Sequence, residues 1–355
     1  MSIFIRYLLG KYLKYFFIIL FSLELFFMGI DFLQNMKNLP NSANLQLLYI
    51  LYNGFFTFTI TLPLSIIFGW ILTLTLFIRN NEMVSFYALG ISKKQVIRPI
   101  FYLSTLITLV LIGLQTTSLA YSYEQKSNIL NNKFFVSEKS NIFLKYNDYF
   151  VYFEKLYPIR KKATNIHIYK IKDNNIIESI IAKTAYYQNK RWYVIDAKII
   201  KKPEIINWKT SKLTISHEKF LYTLEGFEPK IINNIYKTKT YFSILDAIAA
   251  IELLESQNFN TNKIKAILYA HIFTPFFVLS LVILIFLYSS TSSRFFNIGT
   301  FISISIFITL LVWGIMFLLQ KLAIGGVLDA NTAIISPILF LFVVTTFLYH
   351  KKLSI

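Results

Sequence analysis

The chain contains no cysteine, so disulfides and thiolate metal sites are excluded. Histidine is scarce: His167, His217, His271 and His350 lie in separate segments with no ligand spacing. No G-x-x-x-x-G-K-[ST] run occurs, so the chain has no phosphate-binding loop for ATP. H-E-x-x-H and the nucleophile elbow are absent too. With no acid/base constellation, the sequence points away from an enzyme, and no metal or cofactor is expected. Acidic residues are also few, 18 against 36 Lys and Arg, for a formal net charge of +18. A Lys-rich composition explains that excess as readily as an anionic partner does. Residues 121–265 alone carry 24 basic against 14 acidic residues.

What the chain has in quantity is apolar surface. Hydrophobic residues make up 55% of it and the mean hydropathy is +0.54, which a soluble domain rarely reaches. The apolar residues fall in six segments, about 15–34, 53–78, 98–120, 266–288, 298–319 and 332–349. Each is long enough to cross about 30 Å of hydrocarbon. The first is too long for a signal-peptide core and no small-x-small site follows it, so it is expected to be a retained span. Arg6, Lys11, Lys14, Arg79, Lys93, Lys94, Arg98, Arg294, Lys351 and Lys352 flank one set of span ends. The alternate short loops hold only Lys37 and Lys321. The positive-inside rule then places both termini in the cytoplasm and residues 121–265 outside. Long translocated domains are exempt from that rule, so their lysines do not oppose it.

The inserted segment reads as strands. Tyr149–Phe153, Asn165–Tyr169, Arg191–Ile195 and Lys212–Ser216 alternate or are rich in β formers. Asn147-Asp148, Asp173-Asn174-Asn175 and Asn189-Lys190 punctuate them. Short strands at roughly even spacing suggest a sandwich or jelly roll. Near Ser243 the period changes. Ser243-Ile-Leu-Asp246 resembles a capping box, and Ile244, Ala247, Ile248, Ile251 and Leu254 share one helical face.

The loop after the second segment is the most informative stretch. Asn80 or Asn81 is suited to cap a short helix, with Glu82 in its first turn. Met83, Phe86, Tyr87 and Gly90 follow at i, i+3, i+4 and i+7, and Gly90 is placed to close the helix in the left-handed conformation. Ser92-Lys-Lys-Gln95 opens the next helix as a second capping box. The pattern fits a helix resting on lipid. It equally fits one docked in a partner's groove with Glu82 as the charged anchor. Charged groups inside spans are costly and are candidates for function. Glu24 lies midway along the first span, with Asp31 and Lys37 towards its outer end. Thr57, Thr59 and Thr61 are placed to satisfy backbone groups freed near Pro63, and Pro275 and Pro337 also fall in spans.

These residues resemble the lipopolysaccharide export permease family, LptF and LptG, over nearly the whole chain. The resemblance rests on Arg6-Tyr7-Leu8, Leu62-Pro63-Leu64, and Asn81-Glu-Met-Val84 through Ala88-Leu-Gly-Ile-Ser92. Asn147 to Glu154, Ile166 to Tyr169, the Trp192 strand and Ile272-Phe-Thr-Pro275 add to it. The LptG type is favoured over the LptF type. The resemblance implies a polytopic α-helical membrane protein with six transmembrane helices and an inserted periplasmic β-jelly-roll domain. Residues 1–120 would hold the first three spans and a coupling helix at about 80–91. Residues 121–265 would form the periplasmic domain and 266–355 the last three spans. The implied partners are a paired homologous permease, a dimer of a cytoplasmic LptB-type ATPase and a bitopic LptC-type jelly-roll protein. The substrate would be lipopolysaccharide or lipooligosaccharide in the bacterial inner membrane; no nucleic acid is involved. Glu82, Met83, Phe86, Tyr87 and Gly90 would couple to the ATPase, and Glu24, Asp31 and Lys37 would face the substrate cavity. The family's basic cluster near the outer end of the first span is thin here, reduced to Lys37 with Asp31 opposing it. Two rivals remain: a mechanotransmitting subunit that moves no lipid, and a scaffold that recruits envelope proteins.

Overall fold

A computed structural model describes residues 3–131, 139–146, 148–157, 160–172, 175–203, 212–227, 241–255, 260–291 and 297–353. Asn147, Asp173, Asn174 and Arg294 lie outside the described residues. Among the described residues, six helices are long and apolar enough to span a membrane. The first three are α1 (Ile3–Asn35), α2 (Ala43–Arg79) and, after the short α3 (Glu82–Ala88), α4 (Lys93–Leu114). Helix α5 (Ser122–Leu130) leads towards the inserted strands, and α6 (Ile244–Glu255) follows them. The fourth span is broken into α7 (Asn262–Ile272) and α8 (Phe277–Tyr288) by a 3-10 turn at Thr274–Phe276. Pro275 in that turn lacks the N–H a continuous helix needs. Helices α9 (Ile298–Ile324) and α10 (Ser336–Leu353) complete the set, with a π turn at Asn331–Ile335 before the last.

The contacts divide the chain into two compact units. In the first, comprising residues 1–132, 241–248 and 261–355, α2 is the central helix. Leu8, Tyr12 and Phe16 of α1 are buried with Ile66, Trp70, Leu74 and Phe77 of α2 and Val278, Leu281 and Val282 of α8. Lipid tails are as apolar as these side chains, so close fit, not hydrophobicity, holds such helices together. Gly69 supplies that fit: a Cβ there would stand 2.9 Å from the Phe16 Cα. The Trp70 indole donates to the Val282 carbonyl at 3.2 Å. Helix α1 begins well before its apolar run because Arg6, Lys11 and Lys14 are good helix formers.

Among its described residues the second unit contains six antiparallel strands: β1 (Lys139–Tyr146), β2 (Tyr149–Tyr157), β3 (Lys162–Lys172), β4 (Asn175–Gln188), β5 (Arg191–Lys201) and β6 (Thr214–Thr223). Their order in the sheet is their order in the chain. The expected antiparallel β domain is present, but no Greek-key crossover of the kind a jelly roll uses joins the described strands. Register puts Ile142, Phe153, Ile166 and Ala182 in one transverse row, and Leu144, Val151, Ile168, Ile180 and Ile199 in another. All of these are buried, which is what period-2 alternation produces on one covered face. Trp192 is wholly buried and its indole donates to the Phe227 carbonyl at 2.7 Å. Asn189 and Lys190 both have positive φ, 50° and 61°, as a two-residue type I′ hairpin turn requires.

Candidate functional site

The short helix α3 is built as its sequence implies at one end and differently at the other. At its C-terminus Gly90 has φ +80°. The Gly90 N–H reaches the Tyr87 carbonyl at 3.0 Å and the Ile91 N–H reaches Phe86 at 3.0 Å, a Schellman closure. Ser92 and Gln95 then form the reciprocal capping box that starts α4. At the N-terminus neither Asn80 nor Asn81 caps through its side chain; Asn81 instead adopts a left-handed φ of 58°. Asn80 donates to Glu82 Oε1 at 3.3 Å, and the Tyr7 hydroxyl donates to Glu82 Oε2 at 2.7 Å. The carboxylate is therefore held on the surface by a donor from α1 as well as by its own loop.

The apolar face of α3 turns inward. Met83 and Phe86 are buried in the chain's own core. The Phe86 ring meets Phe4 at 5.0 Å and Phe77 at 5.6 Å, both edge-on. Tyr87 is half-buried, and desolvation pushes its hydroxyl up to about 12. These residues fix where α3 sits. The outer surface of this segment is Glu82 with Val84, Ser85, Ala88 and Leu89; Leu89 is 78% exposed.

The intramembrane carboxylates are both engaged. Glu24 accepts hydrogen bonds from Thr57 and from Thr61 Oγ1 at 2.6 Å, one to each carboxylate oxygen. Thr57 and Thr61, one turn apart on α2, thus both serve Glu24, and Thr57 Oγ1 also lies 3.0 Å from the Asn53 carbonyl and 3.1 Å from that of Gly54. Thr59 donates to the Phe56 carbonyl at 2.8 Å. Asp31 forms an ion pair with Lys126 of α5 and accepts from the Tyr49 hydroxyl. The Lys126 ammonium also donates to Asn53 Oδ1 at 3.0 Å and lies 5.2–5.9 Å from the ring centres of Phe56, Tyr123 and Tyr49. Lys37 is exposed in the turn after α1. The three expected cavity residues therefore do not converge. Glu24 and Asp31 face α2 and α5 partners, while Lys37 stands at the surface.

Sequence reading missed Lys126 and Asn53. Lys126 sits in a polar stretch, Ser122–Ser127, with nothing to mark it as buried. Asn53 at the start of an apolar run was the available signal, since a buried amide needs a partner. A second fastening lies nearby. Tyr121 donates to Asp246, and Ser243 Oγ bonds both the Asp246 N–H at 3.2 Å and its carboxylate at 2.9 Å. The Ile244 N–H reaches the Gln115 carbonyl at 3.1 Å. Desolvation and the Asp246 carboxylate push the Tyr121 hydroxyl up to about 12.

Six candidate spans with an antiparallel β domain inserted after the third define a polytopic membrane protein. The chain matches the family model for the lipopolysaccharide export system permease LptF/LptG over residues 6–351, and it belongs to that family. The family model treats the F and G types together. No individually curated protein matches the chain.

Proposed function

We propose that this chain is the non-catalytic permease half of an ATP-driven extractor of lipopolysaccharide from the inner membrane. It pairs with a related permease, two copies of a cytoplasmic ATPase power the pair, and a bitopic periplasmic protein receives the lipid. The LptG type is the better fit to its motifs. Both termini and α3 lie on the cytoplasmic side, and residues 121–265 form the periplasmic domain; the distribution of Lys and Arg over the short loops supports this orientation.

The observation that carries the reading is the surface end of α3. Glu82 is partly exposed and oriented by Tyr7 and Asn80, while Met83 and Phe86 anchor the helix in the core of the spans. Such a helix transmits a push on its outer face directly to α1 and α2. Glu82 is the anchor for a basic residue of the ATPase, with Val84 and Leu89 as apolar contacts. Met83, Phe86, Tyr87 and Gly90 keep the helix in place and shape. Glu24, Asp31 and Lys37 line or support the side of the cavity contributed by α1, with only Lys37 free to meet an anionic headgroup directly. The test is co-purification. Tagged chain extracted in mild detergent retains a soluble ATPase and a second permease. Extraction of the chain without either would defeat the proposal, as would ATP hydrolysis by the chain alone.

A further inference from the structure

A small half-enclosed notch of about 130 Å³ lies where four elements meet at one end of the spans. Tyr87 of α3, Lys93 at the start of α4, Ser289 and Thr291 just after α8, and Lys352 near the end of α10 line it. Its volume suits a phosphate-sized group and falls far below the roughly 300–1,000 Å³ of an ordinary small-molecule pocket.

Its chemistry is one-sided. Two lysines and four hydroxyl-bearing residues, Tyr87, Ser289, Ser290 and Thr291, line the space, and no carboxylate lines it among the described residues. Two of the helix-end carbonyls that would repel an anion, those of Phe286 and Leu287, are covered. Ser289 Oγ donates to Phe286 O at 2.8 Å, and Lys352 Nζ donates to Leu287 O at 3.3 Å while lying 3.5 Å from the Tyr288 ring centre. By contrast, Lys93 and the hydroxyls of Tyr87 and Thr291 make no hydrogen bond to any described residue. Lys93 also opens a helix, where the dipole favours negative charge. Tyr87 keeps its proton at physiological pH and so remains a donor. Three spans begin or end here: 93–114, 262–288 and 331–352. That is the depth at which lipid phosphates lie.

We propose that this notch binds the phosphate of an anionic lipid headgroup. The phosphate bridges Lys93 and Lys352 and accepts from Tyr87 and Thr291, tying α3 to the ends of the fourth and sixth spans. The proposal does not depend on α3 contacting an ATPase, because every group it uses belongs to this chain.

The test uses the full-length chain, delipidated in neutral detergent and titrated by native mass spectrometry with phosphatidylglycerol, phosphatidylcholine or inorganic phosphate. Phosphatidylglycerol should fill one site first, ahead of phosphatidylcholine, whose choline is repelled by the lysines. Lys93→Gln with Lys352→Gln should weaken that site about tenfold, as loss of charge-assisted hydrogen bonds implies. Lys94→Gln with Lys351→Gln removes the same charge outside the notch and should leave it within about twofold. Lys352 also covers Leu287, so Lys93→Gln alone guards against a folding defect; it should still weaken binding about threefold. Equal losses in the two double variants would overturn the proposal by showing diffuse attraction only. Binding of inorganic phosphate without phosphatidylglycerol would overturn the lipid assignment.

Discussion

The ion pair between Lys126 and Asp31 ties the segment leading into the β domain to the first two spans, and its removal has a calculable consequence. The Lys126 side chain is 6% exposed and that of Asp31 is 23% exposed. Lys126→Met keeps the apolar stem among the rings of Tyr49, Phe56 and Tyr123 but leaves Asp31 with only the Tyr49 and Asn35 donors. Breaking a buried pair from one side costs about 3–5 kcal/mol. Water at the Asp31 end places Lys126→Met near the bottom of that range. Asp31→Asn leaves an ammonium in a nearly closed site and belongs near the top. The double variant leaves neither charge stranded, so its cost should fall short of the summed single costs by about 2–3 kcal/mol. Reversible unfolding in mixed detergent, followed by tryptophan fluorescence, measures all three. Single costs below about 1 kcal/mol that simply add would refute the reasoning, because they would mean that both charges find water.

Four further perturbations follow. Gly69→Ala should lower stability by about 1–3 kcal/mol in the same unfolding assay, because its Cβ meets the Phe16 backbone at 2.9 Å and backbone cannot swing aside. The Tyr121 hydroxyl is raised from 10.0 to about 12 in the folded chain, so its contribution is complete below pH 10 and lost as pH rises from 10 towards 12. Thermal melts across that window should fall less steeply for Tyr121→Phe, which should also show a modest loss at neutral pH from the missing bond to Asp246. Gly90→Ala should cost about 1–2 kcal/mol through its positive φ and weaken ATPase association without abolishing membrane insertion. Glu82→Gln keeps shape and loses charge; it should leave a folded permease that retains little ATPase on purification, since breaking a desolvated interfacial pair costs about 2–5 kcal/mol. Glu82→Asp should keep part of the association, and a charge reversal on the ATPase should restore Glu82→Lys.

The spans were legible because each is a run of about eighteen or more mostly apolar residues, but their ends were not. Helix α1 starts at Ile3 and α2 at Ala43, some ten residues before the apolar runs, since polar helix formers extend a helix past the hydrocarbon. Strands β2, β3, β5 and β6 were visible from alternation and turn residues. Strand β1 was missed because Lys139-Ser140-Asn141 opens it with poor strand formers. Strand β4 was missed because Ile176-Ile177 and Ile180-Ile181 are spaced as readily for a helix as for a strand. In α3 the helix, its closure at Gly90 and its apolar face were all readable, yet periodicity does not say what that face touches. Met83 and Phe86 needed the positions of Phe4 and Phe77, which no local pattern holds. The partners of Asp31 and Glu24 were hidden for the same reason, since Lys126 and Thr61 lie 95 and 37 residues away in the chain.

The most direct test of the account is lipid release from proteoliposomes. The chain is reconstituted with its partner permease, the ATPase and lipopolysaccharide, and transfer to a soluble periplasmic acceptor is followed on adding ATP. The account predicts release that requires ATP and this chain together, and that Glu82→Gln abolishes while leaving the lipid bound. ATP turnover by the complete assembly with no transfer of lipopolysaccharide would contradict it, and would make the chain a transmitter of motion instead of a path for lipid.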